Sequence, residues 1–301
     1  MTTKKSLPQN PSRLEDFTHY FDLSLAVNRK QRALAYEIRY RVYCEEFGYE
    51  PTAVFRNHQE VDDFDCQSIH CLVTHRQSYM PAGCVRVVMV EGSDKLPMEK
   101  HAEQSLDRSF IDSFSDRRET LCEISRLAVD CAFRRRRGEQ NTRFGNIDST
   151  GFSVRERRSF PVISLALILG AGAVADVLNR KNCFAIMEPS LPNMLKRAGM
   201  KFSRVGEVFE FRGARAAYYG NMDELIGHAP SELRQYFNTV RERFSEELQT
   251  VRQDAAATEP ATDHPKSARV PESRNRHLWP PALPENSPRY LHRYFHDEQY
   301  G

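Results

Sequence analysis

Short runs rich in branched residues alternate with helical stretches along this chain, and the alternation predicts an α/β or α+β fold: one central mixed sheet with helices on both faces. Two stretches carry the prediction, AGCVRVVMV at 82–90 and TLCEISRLAV at 120–129, both apolar runs of strand length. The helical side of the alternation is clearest in FPVISLALILGAGAVADVL at 160–178. It has nearly the length of a membrane span, but Pro161, Ser164, Asp176 and the small residues of GAGA make it a core helix packed closely on a sheet.

The remaining elements follow in order. Residues 1–20 read as a flexible lead-in, and one domain spans 21–250. A helical pattern covers 26–47, with Leu34, Ile38, Val42 and Tyr43 at helical spacing, and Gly48 stops it. After polar residues 52–65 comes the strand SIHCLVTH, then the strand at 82–90. A polar stretch at 91–118 leads to the strand at 120–129, and a basic, turn-rich insert fills 134–158. The apolar helix (161–179) and the strand NCFAIME (182–188) come next. LPNMLKRAGM is a brief helix ended by Gly199; KFSRVG, EVFEFRG and ARAAYYG are strands; SELRQYFNTVRERFSEEL is an amphipathic terminal helix. From 251 to 301 the composition turns to Pro, Ala, Asp, Arg and His without periodicity, which predicts a disordered tail.

A net charge of +2 over 301 residues gives no general attraction to nucleic acid, so electrostatics must act locally. The seven cysteines are scattered without a C-x-x-C pair, which favours a reducing compartment. The polar start lacks the apolar core of a signal peptide, and the expected location is the cytoplasm.

Five features could carry chemistry. The run EVDDFD brings Glu60, Asp62 and Asp65 together before a strand; alone, such a run reads first as a solvated loop. Arg86 is the charge inside AGCVRVVMV. Glu123 and Arg126 lie inside TLCEISRLAV, where alternation puts Glu123 and Ser125 on one face and Arg126 on the other. A charge in a buried sheet costs several kcal/mol unless paired, so the two arginines call for carboxylates, and Glu60, Asp62 and Asp65 are the candidates. Such a network serves a fold as well as a site. Arg39, Tyr43 and Tyr49 stand in and after the first helix. The run RRRRGEQ, with Arg136, Arg137 and Gly138, could hold phosphate through guanidinium charge and backbone amides, or dock an acidic partner. Cys66, His70 and Cys71 lack a fourth ligand and a useful spacing for zinc, so no metal is expected.

Read in order, IRYRVYCEEFGYEP, EVDDFD, AGCVRVV and CEISRLAV resemble the successive blocks of acyl-homoserine-lactone synthases and N-acyl amino acid synthases, over residues 38–219. VYCEEFGYEP, CEISRLAV, MEPSLPNMLKRAGM and GARAAYYG are similar in style to the acyltransferases associated with PEP-CTERM/exosortase systems. Tyr49 stands where the lactone synthases usually carry tryptophan, and the basic insert is longer than theirs.

The resemblance implies a GNAT-like fold in which two central parallel strands, TLCEISRLAV and NCFAIME, splay apart around a thioester arm. It implies an acyltransferase that uses an acyl thioester of acyl carrier protein or coenzyme A as donor, with no permanently bound cofactor, and a small amine or amino acid as acceptor. Glu123 would be the base, with Ser125 beside it in the catalytic strand. Backbone amides near Leu127 to Val129 would stabilise the oxyanion. Arg39 would anchor the acceptor's carboxylate, Tyr43 and Tyr49 would wall its pocket, and Glu60, Asp62, Asp65, Arg86 and Arg126 would hold the site electrostatically. Arg136, Arg137 and Gly138 would meet the donor. Two alternatives stand beside this: a non-catalytic module of the same fold that docks an acidic partner, and a lactone synthase using S-adenosylmethionine.

Overall fold

The computed structural model describes residues 13–134 and 153–258. The chain enters through helix α1 (Arg13–Tyr20) and strand β1 (Phe21–Leu25), then α2 (Arg29–Arg39). Asn28 and Gln31 cap α2 reciprocally: the Asn28 carboxamide accepts from the Gln31 amide at 2.9 Å and the Gln31 carboxamide from the Asn28 amide at 3.2 Å. The helix does not continue unchanged to residue 47. Over Tyr40–Glu46 its turns widen to i→i−5 spacing, as in the bond from Phe47 N–H to the Val42 carbonyl at 3.0 Å. Gly48 then leaves it with φ of +63°, a conformation open to glycine.

β2 (Ser68–His75), β3 (Pro81–Met89) and β4 (Leu121–Val129) form an antiparallel run. α3 (Pro97–His101) and α4 (Arg108–Asp112) lie in the long β3–β4 connection. α5 (Val154–Ser159) and the apolar α6 (Val162–Val177) cross over to β5 (Asn182–Met187), which pairs parallel with β4. α7 (Ser190–Arg197), β6 (Ser203–Arg204), β7 (Phe209–Glu210), β8 (Ala214–Asn221), α8 (Met222–Gly227) and α9 (Ser231–Thr258) complete the chain. The sheet runs β1-β2-β3-β4-β5-β8-β6, with β7 on β8.

Burial follows the strand alternation. Val85, Val87, Met89, Cys122 and Ile124 join the large core built on α6, α1 and α9. On the other face Cys84, Leu72 and Ala128 pack against Ala35 and Ile38 of α2, while Val90, Leu96, Met98, Leu121 and Phe184 form a third cluster. The small residues of α6 permit close packing: a Cβ on Gly172 would stand 2.5 Å from the Met222 methyl. No helix among the described residues is long and apolar enough to cross a membrane.

The β3–β4 connection also reaches the far edge of the sheet. Leu106 bridges Gly206, the Asp107 amide donates to the Val205 carbonyl at 3.0 Å, and the Glu207 amide to the Ser105 carbonyl at 2.7 Å.

Three sequence boundaries move. Residues 13–20, assigned to the lead-in, are α1, because Leu14 and Phe17 bury against Phe21 and Tyr236. Residues 251–258, assigned to the tail, continue α9, because Val251 extends the apolar stripe of Phe237, Val240, Phe244 and Leu248. Within the insert, Ser153 caps α5, accepting from the Glu156 amide at 3.2 Å. Residues 1–12 and 259–301, the rest of the expected lead-in and tail, lie outside the described residues.

If α1 is part of the folded body, Phe17→Ala should lower stability by about 3–5 kcal/mol, the usual cost of truncating a buried phenylalanine. Denaturant unfolding measures this, and a loss below about 1 kcal/mol would return the segment to a loose lead-in.

Candidate active site

The charged residues of the sequence motifs meet on the α2 face of the sheet and close into a ring. Arg39 bonds Glu60; Glu60 bonds Arg126 (3.0 Å); Arg126 bonds Asp62 (2.7 Å); Asp62 bonds Arg86; Arg86 bonds Asp65 (2.9 Å); and Asp65 returns to Arg39 (2.6 Å). Each of the six therefore has two partners of opposite sign. Arg39 and Arg86 are wholly buried, and Glu60 and Asp65 nearly so. Burial alone would raise the three carboxyls, but their guanidinium neighbours hold all three below the ordinary range, Asp65 furthest. His70, 3.0 Å from Asp65, is pushed down by burial despite that neighbour.

Arg126 joins the ring only because β4 bulges. Arg86 pairs with Ser125 and Cys84 with Ala128, so that Val85 alone faces both Arg126 and Leu127. Arg126 takes φ of +54° at this point. Glu123 and Ser125 share the α2 face as alternation predicts, but the extra residue puts Arg126 on that face too, not on the opposite one.

Glu123 stands on the same face outside the ring. Its Oε2 accepts from the Met98 amide at 2.7 Å, and no ion pair joins it among the described residues. Burial pushes its carboxyl up to about 8, only partly offset by that amide and by the more distant Arg86 and Arg126. The expected base is thus a carboxylic acid at neutral pH and becomes a carboxylate only above about pH 8.

Beside Glu123 the sheet opens. β4 and β5 pair only over Leu121, Cys122 and Glu123 against Asn182, Cys183 and Phe184, and beyond these residues the two parallel strands part. Ser125, Arg126 and Leu127 are partly exposed there. At the far end the Asp130 amide donates to the Ala82 carbonyl at 2.9 Å. Gly83 and Val129 are then the neighbouring pair without mutual bonds, so the N–H and C=O of Val129 point away from β3, to the open side of β4. The Tyr43 hydroxyl donates to the Leu127 carbonyl at 2.9 Å, which ties the widened end of α2 to the bulge.

Aromatic side chains rim the opening. Tyr43 stacks on Tyr49 (6.2 Å) and Tyr49 on Phe47 (5.2 Å). From the other side the turn after β7 brings Phe211 to 5.0 Å from His101, and Arg212 pairs with Glu50.

These positions revise several expected roles. Arg39 cannot anchor an acceptor carboxylate: Asp65 takes a fork of two bonds from it, Glu60 takes its Nε, and it is 0% exposed. Ser125 accepts from Arg86 Nε at 3.1 Å, a positioning contact. Arg136, Arg137 and Gly138 lie outside the described residues. Cys66, His70 and Cys71 diverge: Cys71 packs in the core while His70 bonds Asp65 and Cys66 bonds the Asp63 carbonyl. Sequence reading passed over α3, which supplies the Met98 amide and His101, although Pro97 at its first turn and Glu99 two residues on are helix-start signals.

Residues 38–142 match the family model described as the acetyltransferase (GNAT) domain. With the eight-stranded mixed sheet parted between β4 and β5, this match gives the chain the GNAT-type acyltransferase fold. Solved structures similar to it include the AHL synthase LasI (14% identity, 70% of this chain and 97% of that one, TM-score 0.46). They also include FeeM, an N-acyl amino acid synthase from uncultured soil microbes (13%, 69% and 94%, TM-score 0.44). A third is BjaI, a CoA-dependent acyl-homoserine lactone synthase, with SAM and isopentyl-CoA (16%, 74% and 88%, TM-score 0.45). No curated protein matches the sequence significantly.

Breaking the ring should strand buried charge. Arg86→Met should cost about 3–5 kcal/mol. In a double-mutant cycle with Asp62→Asn the two losses should fall short of additive by about 1 kcal/mol or more, whereas additive losses would contradict direct coupling.

Glu123 fixes a second expectation. Its folded pKa lies above the ordinary 4.5, so its contribution is fully present below about pH 4.5 and is lost as pH rises towards about 8. Glu123→Gln, which cannot ionise, should gain stability relative to the parent across that window, on the order of 4 kcal/mol. Denaturant unfolding at pH 5 and pH 8.5 reads this, and a pH-independent difference would rule out a neutral buried carboxyl.

Proposed function

We propose that the chain is an N-acyltransferase that moves a fatty acyl group from a carrier thioester onto the amine of a small acceptor, an amino acid by its sequence resemblance. The observation that carries this reading is a coincidence of place: the strand gap, unpaired backbone of β4 and a buried protonated carboxyl adjoin one another. A thioester carbonyl in the gap would meet backbone N–H groups such as that of Val129, which would stabilise the oxyanion as the amine attacks. Glu123 moves a proton in this reaction, and Tyr43 and Tyr49 wall the pocket. The charge ring keeps these groups in register.

The donor is an acyl thioester of coenzyme A or acyl carrier protein. The four arginines at 134–137 favour an acidic carrier protein. Arg134, the one member of that run among the described residues, follows the end of β4, pairs with Glu46 and lies 5.1 Å over the Phe47 ring. The run therefore begins at the aromatic rim. A cytoplasmic location, and kinship with the acyltransferases of PEP-CTERM/exosortase systems, belong to the same reading and rest on the sequence.

The test is mass spectrometry of reactions that combine the purified chain, medium-chain acyl-coenzyme A or acyl-carrier protein, and a mixture of amino acids. N-acyl amino acids are expected; an acyl lactone formed only with S-adenosylmethionine, or no product, would overturn the assignment. Glu123→Gln should stay folded and lower turnover about a hundredfold or more. Near-normal turnover would remove Glu123 from the chemistry.

A further inference from the structure

Among the described residues, His101 reaches both sides of the gap, and no role described so far employs it. It ends α3, the helix whose Met98 amide holds Glu123 at 2.7 Å. Its ring lies 5.0 Å from Phe211, which belongs to the β8 side of the gap, and 6.4 Å from Phe64, which leads into β2. It is exposed to solvent, and neither ring nitrogen makes a hydrogen bond among the described residues. An imidazole with free nitrogens, fixed by an aromatic contact across the opening, is placed to meet an incoming amine.

We propose that His101 accepts the proton of the attacking amine while Glu123 serves as the acid for the departing sulfur. This inference rests on the acyltransferase reading and divides the proton work that it assigns to one residue. As the amine nitrogen bonds to the thioester carbon, an N–H proton passes to an imidazole nitrogen of His101. As the C–S bond breaks, the neutral Glu123 carboxyl gives its proton to sulfur. The products are an amide, a free thiol, an imidazolium and a carboxylate, and exchange with water returns both residues to their starting forms.

The surroundings of each group support the division. The partial desolvation that remains on this solvent-open ring, then Arg126, Lys100 and Arg86, push the His101 imidazole below its ordinary 6.5, and Asp62 opposes them only in part. The rings of Phe64 and Phe211 face it without charge. His101 is therefore neutral at pH 7, while Glu123, with its carboxyl near 8, is protonated. Two titratable groups pushed in opposite directions provide a base and an acid at one pH.

The test is the pH dependence of kcat/KM for thiol release from decanoyl thioesters of coenzyme A and of acyl carrier protein, with an amino-acid mixture as acceptor. The parent should rise through a pKa below 6.5 and fall through one near 8. His101→Asn should lose the acidic limb and at least tenfold in kcat, with KM for the thioester changed less than twofold and the alkaline limb kept. Glu123→Gln should lose the alkaline limb instead. An acidic limb unchanged in His101→Asn, or a parent profile that only rises through about pH 8, would overturn the division while leaving the transferase reading in place. No thiol release by the parent with either donor would overturn both.

Discussion

The closed ring of Arg39, Asp65, Arg86, Asp62, Arg126 and Glu60 sets the geometry around it. It joins α2, the segment before β2, β3 and β4 through bonds that each have a second bond behind them. Three cations and three anions sum to zero, and every charge sits between two of opposite sign, so the desolvation cost is offset only while the ring is whole. To complete it, Arg126 must lie on the α2 face, which alternation along a regular strand forbids. The bulge in β4 and the positive φ of Arg126 meet that requirement. Because the bulge falls where β4 has already left β5, the network that holds the fold also shapes the opening in the sheet.

Glu123 lies outside the ring. Arg86 and Arg126 favour its ionised form, but both pair with carboxylates of the ring and neither pairs with Glu123, and their pull is smaller than the cost of its burial. Burial among Met98, Leu121 and Phe184 then decides the outcome, and the carboxyl keeps its proton. The EVDDFD run thus supplies three carboxyls held in the ionised form, and the strand β4 one that keeps its proton.

Much of the fold was legible in the sequence because branched runs and apolar spacing report burial directly: β2, β3, β4, β5, α2 and α6 stand where they were expected. The partners of Arg86 and Arg126 were legible too, since buried guanidiniums require carboxylates and EVDDFD offers a dense run of them. α1 and β1 were passed over because each is short and only one side of it is buried. The side on which Arg126 lies is a property of register between strands, and no local pattern contains it. The saturation of Arg39 is not legible locally, because Glu60 and Asp65 fold over it from more than twenty positions away. α3 is not legible because a single turn of helix in a polar stretch has no periodicity to read.

The contacts of Ser105, Leu106 and Asp107 with Val205, Gly206 and Glu207 bear on the gap in another way. The chain that leaves β3 crosses to the far edge of the sheet before it returns as β4, and so it fastens together the two halves that β4 and β5 separate. The two halves are thus tied at a second place besides the three paired residues of β4 and β5, as the legs of a stepladder are tied by its brace, and that tie limits how far they can spread.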